Sequence, residues 1–170
     1  PIQQAFAVAN ELIATMIKGI VETIAIPSLV NLDYADVKAI MQNGGVAVIG
    51  VGSSDTNNRV EEAVKGALAN PLLEVDYRGA TGALIHVVGG PDMTLDDINK
   101  VGGLVTESLD DDANVIWGAR VLEDMKGRIT VMTIITGVKS PWILGKVDYK
   151  KPSVEAVAVS HELGIELVNS

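Results

Sequence analysis

Apolar residues recur at helical spacing through residues 2–26, where Ile2, Phe6, Ala9, Ile13, Met16, Ile17, Ile20 and Ile24 share one broad face. A narrow polar stripe of Glu11, Thr15, Lys18 and Glu22 lies opposite. A helix apolar around so much of its girth calls for burial against more than one partner, and Pro27 ends it. A short second helix is predicted over 34–42, closed by Gly44 and Gly45.

The pattern then alternates between aliphatic runs and amphipathic stretches. VAVIGVG (46–52) reads as a buried strand, and residues 55–69 as a helix with Val60, Val64, Ala67 and Leu68 inward. TGALIHVV (81–88) is a second strand, stopped by Gly89-Gly90-Pro91. Thr94-Leu95-Asp96-Asp97 caps a helix running to about Leu109. Residues 114–121 and 129–137 are two more strand-like runs, expected to form a hairpin across 123–128. The predicted fold class is therefore α/β: a two-layer, four-stranded mixed sheet with helices packed on one face, preceded by a long helix. Residues 139–152 read as a loop or arm, and 153–170 fits a strand or a helix equally well.

Composition narrows the class. Hydrophobic residues make up 48% of the 170, but aromatics only 4%, which suits aliphatic α/β layers. The formal charge of −9 disfavours nucleic acid and anionic membranes as partners. Zero cysteines remove disulfides, thiolate nucleophiles and zinc-thiolate sites. No membrane span is expected, since the stretch from Ala5 to Ile26 is interrupted by Asn10, Glu11, Lys18 and Glu22.

The residues that draw chemical interest follow the Pro27 turn. Asn31, Asp33 and Asp36 put an amide and two carboxylates at the mouth of the second helix. On spacing alone, Asp33 is an N-cap and Asp36 the acidic residue of a capping-box-like start. Two carboxylates make no closed cation site by themselves. His86, inside LIHVV, reads as a structural strand residue, and Asp110, Asp111 and Asp112 as a solvated turn. Gly50 and Gly52 break the dinucleotide-binding fingerprint and read as strand-end turn glycines. Trp117 is a candidate core anchor, Trp142 an exposed contact of the arm, and His161 has no assigned role.

The string N-x-D-x-x-D after a long helix and a proline turn resembles the synergy loop of FtsZ, the prokaryotic relative of tubulin. FAVANELIATMIKGI (6–20) is similar to that family's central inter-domain helix, and Asn70-Pro71-Leu72-Leu73-Glu74 to its S-P-L-L-E turn. Gly79-Ala80-Thr81-Gly82, with Leu84, Ile85 and Gly89-Gly90-Pro91-Asp92-Met93-Thr94-Leu95, resembles its strand-to-helix segment. Ile116-Trp117-Gly118-Ala119, Ile129-Thr130-Val131 and Ile135-Thr136-Gly137 resemble its last two strands. Trp117 and the IHVVGG string look more like archaeal members. Residues 1 to about 138 are covered.

The resemblance implies a carboxy-terminal half: central helix 1–26, synergy loop and following helix 27–44, α/β domain 45–138, and a tail 139–170. The family's amino-terminal GTP-binding domain, with its glycine-rich phosphate loop, is missing from these residues. It implies a cytoplasmic GTPase that assembles head to tail into cytoskeletal filaments at the division site. There Asp33, Asp36 and Asn31 would act on GTP held by the adjacent subunit, with Mg2+ or another cation possible beside the nucleotide. Asn10 stands where many bacterial members carry an aspartate against the guanine edge, and its amide offers both donor and acceptor. Taken alone, this half would be inactive in hydrolysis. Expected partners are like subunits, the GTP-binding domain and other division proteins. Two other readings stay open here: a non-catalytic assembly or capping module, and a tubulin-like cell-shape paralogue.

Overall fold

The computed structural model describes residues 2–42, 44–69 and 76–139. The expected turn at 70–74, Trp142, His161 and the tail beyond Lys139 lie outside them.

The elements run in the order α1 (Ile2–Ala25), α2 (Tyr34–Gln42), β1 (Ala47–Ser54), α3 (Arg59–Leu68), β2 (Gly82–Gly89), α4 (Leu95–Thr106), β3 (Asn114–Val121) and β4 (Ile129–Thr136). The four strands form one mixed sheet in the order β1-β4-β2-β3. β4 is antiparallel to both β1 and β2, and β2 is parallel to β3. The expected β3–β4 hairpin does not form. Leu122 N–H donates to the Gly89 carbonyl at 2.9 Å, and Gly127 N–H donates to Asp92 Oδ1 at 2.9 Å. These bonds tie the 122–127 connection to the loop after β2, and β4 enters on the far side of that strand.

Period-two alternation sorts β2 and β4 onto two faces. Ala83, Ile85, Val87, Ile129, Val131 and Ile135 join α3 and α4 in the larger core. Leu84 and Ile134 point the other way, toward Leu32 and Val37 and the Met16–Ile20–Ile24 row of α1. The two interposed helices thus share one face, as expected, while α1 and α2 occupy the other.

α3 approaches β1 so closely that side chains cannot intervene. A Cβ on Gly50 would lie 1.6 Å from the Ala67 carbonyl oxygen, and one on Gly52 1.9 Å from that of Ala63. These glycines are therefore a helix-docking floor within β1, not the turn glycines expected. α4 starts on a complete capping box: Asp97 N–H donates to Thr94 Oγ1 at 3.1 Å, and Thr94 N–H donates to Asp97 Oδ2 at 2.9 Å. Asp92 and Asp97 both pair with Arg59 at the start of α3. The Gly127 amide and then Arg59 hold the Asp92 carboxyl down at about 2. The G-G-P-D-M-T-L string thereby joins both helices to the 122–127 connection. Trp117 is 37% exposed beside α4, so it is not a core anchor.

Among the described residues of α1, only Thr23 is fully buried, while Ile2, Phe6, Val8, Ile13, Ile17 and Val21 are exposed. By length and composition this helix can cross a membrane, contrary to expectation, with a mean hydropathy of 1.2 over its best window. Its charges are spaced widely enough that such a window holds no more than two. Its carboxy-terminal half is nonetheless committed to the sheet, through Thr23 to His86 and Glu22 to Arg120. The Glu22 end of the polar stripe therefore faces protein.

Replacing Gly52 by Ala should destabilise the fold by about 3 kcal/mol, the upper end for overpacking, because the obstacle is backbone. Gly103→Ala, with open space at its Cβ inside α4, should instead stabilise by about 0.5–1 kcal/mol. Urea unfolding of both variants checks the contrast.

Candidate functional site

The segment between α1 and α2 runs along the free side of β3 as a braced loop. Ile26 N–H donates to the Glu22 carbonyl at 2.9 Å, continuing the last helical turn. Ser28 N–H donates to Asn31 Oδ1 at 2.8 Å, and Ser28 Oγ donates to the Ile26 carbonyl at 3.1 Å. Val30 then pairs with Ala119 of β3 in both directions, at 3.1 and 2.9 Å. Leu32 drops into the core at 5% exposure, which leaves the residues around it facing solvent.

Asp33 caps α2. Its Oδ1 accepts from Ala35 N–H at 3.0 Å, and its carbonyl accepts from Asp36 and Val37 N–H, both at 3.1 Å. Asp36 stands in the first helical turn, where a carboxylate is favoured by the helix dipole. Its side chain makes no hydrogen bond among the described residues, so the reciprocal half of the capping box is not made. Asn31, Asp33 and Asp36 are all exposed. Because the Asn31 carbonyl oxygen is spent on Ser28, its free group is the amide donor. The loop thus offers one N–H2 and two carboxylates to a neighbour, which is a set that can hold and polarise a water.

Asn10 is exposed on α1. It lies roughly 20 Å along the helix axis from the end of α1, given a rise of 1.5 Å per residue. The structure therefore does not bring Asn10 together with the acidic loop. Asp110, Asp111 and Asp112 are exposed before β3, as expected of a solvated turn.

His86 is structural, though in a way its sequence context did not indicate. It is 4% exposed and sits across β2 from Met132 on β4 and Gly118 on β3. Thr23 Oγ donates to the Gly19 carbonyl at 2.7 Å, and its oxygen is left to accept from His86 Nε2–H. Burial first, then the nearby Arg120 guanidinium, pushes the His86 imidazole down to about 4, against an opposing pull from Glu22. The residues missed in sequence are those of this seam: Gly19, Glu22, Thr23, Gly118 and Arg120. Their one sequence signal was a pair of small residues, Gly118 and Ala119, directly before an arginine in a strand.

The comparisons with known proteins agree with this architecture. The model of the FtsZ family C-terminal domain matches residues 45–139. Cell division protein FtsZ 2 of Methanocaldococcus jannaschii is 61% identical over 149 residues, spanning 86% of this chain and 39% of the relative. Cell division protein FtsZ 2 of Halobacterium salinarum is 54% identical over 145 residues, spanning 85% and 37%. Among solved structures, an empty FtsZ dimer from M. jannaschii superposes with a TM-score of 0.72 at 49% identity, covering 81% of this chain and 40% of that one. The architecture is that of the tubulin/FtsZ superfamily. Within it, the chain belongs to the FtsZ family, and the two relatives just named are archaeal FtsZ 2 proteins. It spans about two fifths of the length of those relatives.

A neutral buried His86 has a consequence for stability. Between about pH 6.5 and 4 the unfolded chain takes up a proton that the folded chain refuses. Stability should be fully present above pH 6.5 and fall by about 3 kcal/mol as pH drops through that window. His86→Gln should flatten that part of the profile, as measured by denaturant unfolding at fixed pH steps.

Proposed function

We propose that this chain is the carboxy-terminal part of a cell-division GTPase whose subunits assemble head to tail into cytoplasmic filaments at the division site. In this reading the loop at Asn31, Asp33 and Asp36 completes the GTP site of the next subunit. The observation that carries it is an exposed pair of carboxylates on a braced loop, anchored by Leu32 and Val37, which are buried in their own domain. The exposed apolar face of α1 supports the same reading, since an amino-terminal nucleotide-binding domain, rather than lipid, would cover it. Asn10 would then meet the guanine edge of the nucleotide in its own subunit, while Asp33 and Asp36 reach the nucleotide of another. The separation of about 20 Å along α1 suits two sites rather than one.

Chemically, triphosphate hydrolysis needs a water placed in line with the γ-phosphorus and relief of charge on the transferring group. Free aspartates are weak bases, so Asp33 and Asp36 would orient and polarise the water by accepting its hydrogens. The Asn31 amide would donate to that water or to a phosphate oxygen. A cation travelling with the nucleotide would offset the repulsion between phosphates and carboxylates. Hydrolysis then follows assembly, because the two halves of the site lie in different subunits.

The test uses the full-length protein, this chain behind its nucleotide-binding domain. Asp33→Asn keeps the capping oxygen and should leave folding and GTP affinity in place. Phosphate release should fall by about 100-fold, within the range for lost positioning and proton-handling groups. Asp36→Asn should behave likewise. Mixing Asp33→Asn subunits with subunits unable to bind GTP should restore part of the activity, because intact pockets then meet intact loops. Unchanged turnover in both variants, or no recovery on mixing, would overturn the reading.

A further inference from the structure

Besides Leu32, which packs on Leu84 of β2 and Ile134 of β4, the contacts that fix the acidic loop to the sheet fall on three consecutive positions of β3. Gly118 is the floor: a Cβ there would lie 2.8 Å from Thr23 Cγ2, 2.9 Å from Leu32 Cγ and 3.2 Å from the Val30 carbonyl oxygen. Ala119 supplies the backbone pair to Val30. Arg120 reaches back to Glu22 near the end of α1. α1, the loop and the start of α2 therefore meet over one strand, and β3 is an edge strand whose free side receives Val30.

The apolar residues at the loop's entry do not hold it, since Ile26 and Leu29 are both exposed. At that end, the buried Thr23–His86 contact is joined by the Glu22–Arg120 charge pair. Its side chains are 19% and 31% exposed, so the pair is partly screened from water. Lys18 is a poor substitute for Arg120, at 4.0 Å from Glu22 and 75% exposed. Arg120 also lines the clefts on both sides of the α1 terminus, one with Lys18, Glu22 and His86, the other with Ile26, Pro27 and Leu29.

We infer that Arg120 is a positioning residue for hydrolysis: its contact with Glu22 holds α1 against β3 and so fixes where Asp33 and Asp36 present their carboxylates. This rests on the GTPase reading above. Arg120 itself touches no nucleotide in this scheme. Its effect arises because small misplacements of a positioning group cost large factors in rate.

The experiment compares Arg120→Ala, Glu22→Gln, Arg120→Lys and the swap Glu22→Arg with Arg120→Glu, all in the full-length protein. Asp33→Asn is run in parallel. Both single disruptions should lower kcat for GTP hydrolysis by roughly tenfold, with KM and the concentration threshold for assembly unchanged. Arg120→Lys should retain most of the rate, and the swap should recover most of what Arg120→Ala loses. Unchanged kcat in both disruptions, or a loss that the swap and Arg120→Lys leave in place, would overturn the inference. If Asp33→Asn retains turnover, the GTPase reading fails. If Asp33→Asn abolishes turnover while Arg120→Ala does not change it, only the tether fails.

Discussion

Helix α1 can lie on the sheet because the residues beneath it and on it are small in the right places. Val51, Met132, His86 and Gly118 form one cross-strand row, each opposite the next in the ladder. Above that row α1 sets Gly19 over Met132 and His86, and Thr23 over His86 and Gly118. A Cβ on Gly19 would come within 2.8 Å of the Met132 methyl. Residues four apart on a helix share a face, so Gly19 and Thr23 are the two successive steps of the contact. The imidazole of His86 fills the middle, and its single N–H is spent on a hydroxyl whose own proton is spent on a carbonyl. The acidic loop, the end of α1 and the start of α2 inherit their positions from that contact.

The opposite face is built by another device. There the close approach comes from β1, whose glycines admit the backbone of α3, and an aliphatic core fills the rest. Interiors packed to crystal-like density tolerate little change in volume, so both sides of the sheet are fixed by absent side chains as much as by present ones. On the α3/α4 face, Arg59, Asp92 and Asp97 lock the starts of the two helices together at the surface. The loop chemistry sits at the edge of this rigid block, on one of its exposed rims.

Much of the architecture was legible because its elements are locally consistent. The limits of α2 and β3 match their periodic patterns, and the Thr94 cap marks α4 directly. The start of α3 was set too early, because residues 54–58 are used by a hydroxyl-braced turn in which Thr56 N–H donates to Ser54 and Asn58 N–H to Thr56. Strand pairing is not legible in the sequence, for a different reason. β3 and β4 are similar aliphatic runs joined by a short connection, and nothing in their alternation reveals that Asp92, far away in sequence, captures Gly127. The acidic loop could be located by its residue types. Its seat could not, because Gly118 and Arg120 acquire meaning only when Thr23, Leu32 and Glu22 are brought over them. The length of α1 was clear, but the docked face was not, since Ile2, Phe6, Val8, Ile13, Ile17 and Val21 are exposed while Met16, Ile20 and Ile24 dock.

The central place of β4 in the sheet bears on how the chain comes together during synthesis. Among the described residues β1 has no strand neighbour except β4, and their register joins Ala47 to Thr136 and Ser54 to Ile129. An emerging chain can pair β2 with β3 early, but β1 and the helix resting on it must wait until β4 leaves the ribosome. Non-local pairing of this kind slows folding and leaves apolar strand edges uncovered in the interval. A sheet that closes from its middle, with the strand that comes fourth in sequence, delays completion of this layer until β1 to β4 have all been made.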